Sequence, residues 1–301
     1  MSRALVLGGG GPVGICWQAG LIVGLARAGV TLADADLIVG TSAGSVVGSQ
    51  LASGADLAES VALLGAASGG GESGAPLDNQ AGVEGLQELM ALIGQAAAGG
   101  DAEATRVRIG QMATEAATIA ESDYLTLFSV LAAGSWPDRF ACTAVDTSTG
   151  EFRVWDTSSG APLSAAVASS CAVPMVYPPV TIGGRRYMDG GMRDMLNADV
   201  AAGHDTVLAV SCTLLDLPPE LVEAGLVDAG LDAVLRGTRA QISALRDGGS
   251  EVETVVPGAE FLEVSGWGLQ LMDFTRTQAA FDAGLRQSSE EAERLAKSWS
   301  A

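Results

Sequence analysis

The sequence predicts an α/β fold. Two observations carry that expectation. Near its start, the chain twice runs from a short apolar strand pattern into a glycine-rich turn and then into a helix-compatible stretch. Its 301 residues, 48% of them hydrophobic, are enough for one large α/β domain or two small ones, with a sizeable core.

The first unit begins with Ala4-Leu5-Val6-Leu7, followed by Gly8-Gly9-Gly10-Gly11-Pro12-Val13-Gly14. Residues 15 to 28 then read as a helix stopped by Gly29. Gly9-x-Gly11-x-x-Gly14 matches a dinucleotide fingerprint, which also needs an acidic residue ending the next strand to hold a ribose. Asp34 and Asp36 precede that strand instead of ending it. The other use of such a loop is to bring backbone N–H groups close to a substrate oxygen, forming an oxyanion hole.

The second unit is Leu37-Ile38-Val39, then Gly40-Thr41-Ser42-Ala43-Gly44, then a helical stretch from 45 to 52 ending near Gly54. Strand, Gly-x-Ser-x-Gly, helix is the context of a nucleophile elbow, in which a sharp turn exposes the serine hydroxyl at the top of a sheet. Such a turn needs glycines flanking the serine, because side chains there would meet neighbouring backbone. The same five residues also suit an ordinary strand-to-helix turn with Ser42 as its N-cap.

Residues 66 to 74 are Gly/Ser/Ala-rich and read as a linker. Three helices are expected after it, over 83–98, 102–120 and 123–133. Beyond Trp136-Pro137, strands are expected over 139–145 and 151–155 around the turn at Thr147-Ser148-Thr149-Gly150. A small-residue helix over 163–172 follows, then a hairpin around Gly183-Gly184 that ends on Asp189. The remaining expected elements are a strand over 206–212, an amphipathic helix over 226–245, a strand over 252–256 and a C-terminal helix over 274–299.

Formal net charge is −20, from 36 acidic and 16 basic residues, which argues against nucleic acid as a partner and against tight electrostatic docking on anionic lipid. Cys16, Cys142, Cys171 and Cys212 are far apart and lack metal-ligand spacing, as expected of reduced thiols in a cytoplasmic protein. There is no secretory leader pattern and no apolar run of the ~20 residues a membrane span needs.

Three motifs in order resemble the patatin-like phospholipases: Gly9-Gly10-Gly11-Pro12-Val13-Gly14, Gly40-Thr41-Ser42-Ala43-Gly44 and Asp189-Gly190-Gly191. The stretch before the third motif is similar too, in Ala168-Ser169-Ser170-Cys171-Ala172-Val173-Pro174, Pro178-Pro179-Val180 and Gly184-Arg185-Arg186-Tyr187-Met188. The resemblance implies a three-layer α/β/α fold with a central, mostly parallel sheet. The chain reads as a single domain over 1–301, with 66–135, its least family-like stretch, an inserted helical segment placed either over the site or in the core.

The resemblance further implies a serine acyl-ester hydrolase acting on lipid or carboxylic esters. Ser42 is the nucleophile and Asp189 its base, with Gly9, Gly10, Gly11 and Ala43 forming the oxyanion hole. Gly14, Gly40, Gly44, Gly190 and Gly191 serve as motif glycines. No metal or organic cofactor is implied. Family members commonly carry Arg or Lys where this chain has Val13, so cationic help to the oxyanion is missing here. A carboxylate base at its ordinary pKa would keep such an enzyme active at mildly acidic pH. An acyltransferase on the same scaffold and a nucleotide-binding protein using the glycine loop are the other readings.

His204 is the only histidine and follows Asp189 in the order a Ser-Asp-His triad would have. It nevertheless precedes a strand, whereas sites on sheets of this kind lie at the strands' carboxyl ends. A loop position away from the site is therefore expected.

Overall fold

The computed structural model describes residues 1–68, 89, 91–95, 99–131, 134–217 and 229–299. Their strands join into one sheet in the order β5 (Val180–Ile182), β6 (Arg185–Asp189), β3 (Phe140–Asp146), β2 (Leu37–Gly40), β1 (Arg3–Leu7), β7 (Thr206–Val210) and β8 (Glu251–Val255). From β3 through β8 every neighbour is parallel, while β5 and β6 form an antiparallel hairpin at one side. A further strand, β4 (Phe152–Trp155), lies antiparallel beside β3.

Alternation along the strands makes three layers. Leu5 and Leu7 of β1, with Leu208 and Val210 of β7, enter the larger apolar core. That core lies against α1 (Gly11–Arg27), α2 (Ala43–Ala52) and the C-terminal helix Thr277–Trp299. Ala4, Val6, Val207 and Ala209 point the other way, toward Ile242 and Leu245 of the helix Ala229–Asp247. This is a three-layer α/β/α fold around a mostly parallel sheet, as expected.

Several boundaries differ from the sequence expectation. The first helix begins at Gly11, inside the glycine run, because Pro12 occupies the first turn, where its missing N–H has no acceptor to lose. The helix Leu57–Ser68 extends into the stretch whose composition reads as a linker, since its alanines favour helix. The helix expected over 102–120 stops at Glu115. The one expected over 123–133 is the short helix Glu121–Thr126 followed by the 3-10 turn Ser129–Leu131. A short helix, Ala259–Val264, precedes the C-terminal region. Most of the expected linker and the first half of the helix expected over 83–98 lie outside the described residues, as does the start of the one expected over 226–245.

Among the described residues, no helix is long and apolar enough to cross a membrane. Cys16, Cys142 and Cys212 are buried, Cys171 is partly exposed, and all four are free thiols.

Candidate active site

The site is assembled where β1 and β2 end. Ser42 follows β2 and is the N-cap of α2, at φ 51 and ψ −117. Its side chain makes no capping bond, so the ordinary N-cap role is not the one it fills. A positive φ is strained for serine, and the surrounding bonds hold it there. The Ser42 N–H donates to Ser170 Oγ at 2.9 Å, and its carbonyl accepts from Ser45 N–H at 2.8 Å and Ser45 Oγ at 2.7 Å. The turn leaves no room for side chains on either side. A Cβ at Gly44 would stand 2.0 Å from the Leu7 carbonyl oxygen, and one at Gly40 would stand 2.4 Å from Ser45 Cα. Both glycines are therefore required by contact, as the motif implies.

Asp189 ends β6 and is buried, at 2% exposure. Its Oδ1 accepts from Gly191 N–H at 2.7 Å. Its Oδ2 is buried and, among the described residues, has no hydrogen-bond partner. Burial pushes the carboxyl up from 3.8 to about 7, against the opposing pull of the Ser42 hydroxyl and the Gly191 N–H, which favour the ionised form. The hydroxyl of Ser42 and the carboxyl of Asp189 thus face each other inside the fold. Ser42 itself is only 6% exposed.

The glycine loop runs beside them. Gly9 is a correction: its N–H donates to the Met195 carbonyl at 2.7 Å, so it is not free to bind an oxyanion. Its contribution is space, since a Cβ there would stand 2.7 Å from Met195 Cε and 3.4 Å from Ser42 Cβ. The N–H groups of Gly10, Gly11 and Ala43 have no acceptor among the described residues. The Gly14 N–H closes the first turn of its helix on the Gly10 carbonyl at 2.8 Å.

Several residues at the site carry no sequence signal of their own. Asn197, fully buried in the left-handed region at φ 54, has an amide nitrogen that reaches four oxygens, the shortest contact being to the Asp194 carbonyl at 2.6 Å. It donates to Thr41 Oγ1 at 3.1 Å, to Thr143 Oγ1 at 3.4 Å and to the Gly190 carbonyl at 3.2 Å. Thr41 and Thr143 are themselves joined hydroxyl to hydroxyl at 2.8 Å. One side chain therefore ties the residue before Ser42 to the residue after Asp189. Met195 bridges the rims, its Cε near Gly9 and its Sδ 2.9 Å from where a Gly191 Cβ would stand. Beyond Asp189, Leu89, Leu92 and Ile109 pack with Val145 and Met188, and Met112, Met175 and Met192 flank them.

His204 is remote. It precedes β7, whose Thr206 is level with Arg3 at the start of β1, while the glycine loop follows Leu7 at the other end. A five-residue strand separates the two edges by roughly 15 Å. The imidazole Nδ1 lies 3.0 Å from the Ala201 carbonyl. Asp36 sits at that same far edge, accepting from Arg3 N–H at 2.7 Å, so it does not supply the ribose contact a dinucleotide site requires.

The sheet with helices on both faces is that of an α/β protein, with a strained serine on a strand-to-helix turn and a buried aspartate at one end of it. The chain belongs to the patatin-like phospholipase family, whose model matches residues 5–202. Among solved structures it is similar to VipD from Legionella pneumophila, at 12% identity, over 98% of this chain and 75% of VipD, with a TM-score of 0.41. No curated protein matches it in sequence.

Proposed function

We propose that this protein is a serine acyl-ester hydrolase of lipid or carboxylic esters, working through Ser42 and Asp189. The observation that carries the reading is the facing pair. A hydroxyl held out by a strained turn lies near enough to a buried carboxyl to favour its ionised form, and the carboxyl's Oδ2 has no hydrogen-bond partner among the described residues. A serine hydroxyl is a poor nucleophile at neutral pH and needs a base. With Asp189 raised to about 7, the carboxylate is present at neutral pH and far more basic than an exposed one.

In the first half-reaction Ser42 Oγ bonds to the ester carbonyl carbon while its proton passes to Asp189. The carbonyl oxygen takes the negative charge and is met by the N–H groups of Gly10, Gly11 and Ala43, the last at the start of α2, where the helix dipole favours an anion. Collapse breaks the bond to the alcohol oxygen, which leaves with the proton from Asp189. In the second half-reaction water gives a proton to Asp189 and its oxygen attacks the acyl carbon. The acid departs and Ser42 recovers its proton. No step calls for a cofactor.

The helices of the 66–135 segment supply an acyl-binding wall in this reading. Leu89, Leu92 and Ile109 pack against Met188, which directly precedes Asp189, and the flanking methionines adapt to flexible chains. We place the protein in the cytoplasm, with its four cysteines as free thiols.

Labelling with a fluorophosphonate followed by peptide mass spectrometry tests the assignment. One adduct, on Ser42, is expected, together with loss of aryl-ester hydrolysis in a folded Ser42→Ala protein. Turnover by that variant, or an adduct elsewhere, refutes the reading. An alcohol added as competing acceptor distinguishes transfer from hydrolysis.

A further inference from the structure

Between the helix Ala259–Val264 and the 3-10 turn Phe274–Arg276, the loop over 265–272 presents two large apolar side chains to water. Trp267 is 65% exposed and Leu269 92%. The backbone fixes this exposure. Gly266, Trp267 and Gly268 all have positive φ, at 57, 57 and 90. The Trp267 N–H donates to the Leu262 carbonyl at 2.7 Å, and the N–H groups of Gly268 and Gln270 converge on the Ser265 carbonyl at 3.1 and 2.9 Å. A bulky L residue at positive φ is strained, and glycine would be favoured there. The chain instead keeps a tryptophan at that position and leaves it wet, a combination that marks an interaction surface.

The base of the same loop closes on the candidate site. The Val13 N–H donates to the Leu271 carbonyl at 3.2 Å, and a Cβ at Gly11 would stand 2.9 Å from Met272 Sδ. The base of the loop that carries the apolar tip is therefore hydrogen-bonded to the helix that begins in the glycine loop. The loop carries no charged residue over 265–272. The cations beside it are already engaged: Arg276 with Asp273 and the Val264 carbonyl, Arg286 with Glu260.

We propose that the Trp267–Leu269 tip docks this protein on an uncharged or zwitterionic lipid surface, bringing the mouth of the Ser42 site to its substrate. The choice of lipid as occupant rests on the ester-hydrolase reading of that site. Two independent observations agree with it. Two side chains offer on the order of 300 Å², well short of the ~800 Å² per partner of a stable protein interface. Shallow insertion into a lipid interface needs no such area, and tryptophan suits it, with an apolar body and a polar N–H. The net charge of −20 and the engagement of Arg276 and Arg286 in ion pairs disfavour attraction to anionic headgroups.

The test uses the full chain, as wild type and as Ser42→Ala, with phosphatidylcholine vesicles in a flotation assay. Both proteins are expected to float with the vesicles, with a blue shift of tryptophan emission. Trp267→Gly with Leu269→Ser should lower the partition coefficient by on the order of 100-fold. Glycine relieves the positive φ, so the variant should melt no lower than the parent, and it should hydrolyse a soluble short-chain aryl ester normally. Three results would overturn the proposal: no vesicle binding by wild type, unchanged binding by the double variant, or stronger binding to phosphatidylglycerol vesicles. A dimer by light scattering that the double variant dissociates would assign the tip to a second copy and also overturn it. Binding by Ser42→Ala is read without turnover, so the two readings fail separately. Absence of hydrolysis alongside intact docking refutes the active site. Soluble-ester hydrolysis without vesicle binding refutes the docking surface.

Discussion

Replacing Asp189 with Asn should inactivate the protein and stabilise it, and the gain should grow with pH. In the folded chain the carboxyl titrates at about 7, raised by burial from 3.8. Between those values the folded state holds a proton that the unfolded state has lost, so stability falls as pH rises through that window and levels off above it. The penalty is about 1.5 kcal/mol at pH 5 and about 4 kcal/mol at pH 8. That is a large share of the ~5–15 kcal/mol typical of a whole domain. Asparagine carries no charge, retains an oxygen for the Gly191 N–H and occupies nearly the same volume. Urea unfolding of both proteins at pH 5 and pH 8 isolates the effect, because any pH-independent repacking cancels in the difference. The stability gap should widen by about 2.5 kcal/mol between the two pH values, and fluorophosphonate should no longer label Ser42. A gap that does not change with pH, or an active Asp189→Asn protein, would refute the argument that a buried, raised carboxylate is the base.

The remaining expectations are simpler. On a soluble ester, kcat/KM should fall about tenfold per pH unit below about 7 and level off above it, as the carboxylate is lost; full activity at pH 5 would contradict this. This expectation differs from the acid-active profile that an ordinary carboxylate would give. His204→Ala should leave kcat within about twofold of wild type, whereas loss of a triad base would cost ~10^4. Asn197→Gly, which tolerates φ 54, should destabilise by roughly 2–4 kcal/mol in denaturant titrations and lower kcat more than it raises KM, because the links to Thr41 and Gly190 are lost. Val13 and the net charge of −20 predict a higher kcat/KM on a neutral glyceride than on phosphatidylglycerol of equal acyl length. A reversed preference that survives high salt, where surface repulsion is screened, would show that reasoning to be wrong.

What was legible in the sequence divides along physical lines. Strand-turn-helix order and the glycines around Ser42 could be read because they answer to local sterics, and the contacts at Gly40 and Gly44 bear this out. The position of His204 at the far edge followed from strand direction alone. The role of Gly9 could not be read. Which N–H of a glycine run turns toward the site depends on the Met195 carbonyl, far along the chain. Asn197, Thr41 and Thr143 were invisible for the same reason: each is an ordinary polar residue until the fold brings the Asn197 amide to both threonines and to the Gly190 carbonyl. The raised pKa of Asp189 likewise depends on burial, which no motif encodes. The helix Leu57–Ser68 lacked a signal because alanine and glycine composition suits a linker as well as a helix.

The meeting of Ser42 and Asp189 follows from the register of a single strand. On β3, Cys142 pairs with both Gly40 and Trp155, and Ala144 pairs with both Asp189 and Arg153. Trp155 and Arg153 belong to β4, which occupies one edge of β3 from Cys142 to Val145. Gly40 and Asp189 must therefore share the opposite edge. β3 outruns β2, and β6 takes up the edge that β2 vacates, running in the reverse direction. The carboxyl-bearing residue is thus set two positions along β3 from the glycine that opens the elbow, about 7 Å. Thr143 lies between those two positions, fully buried, bonded to Thr41 and in contact with Gly190. Because side chains alternate, a slip of one residue in β6 would turn Asp189 to the other face of the sheet. All of β3 from Phe140 to Asp146 is buried, so this register is held by the core itself and not by the loops that carry the two motifs.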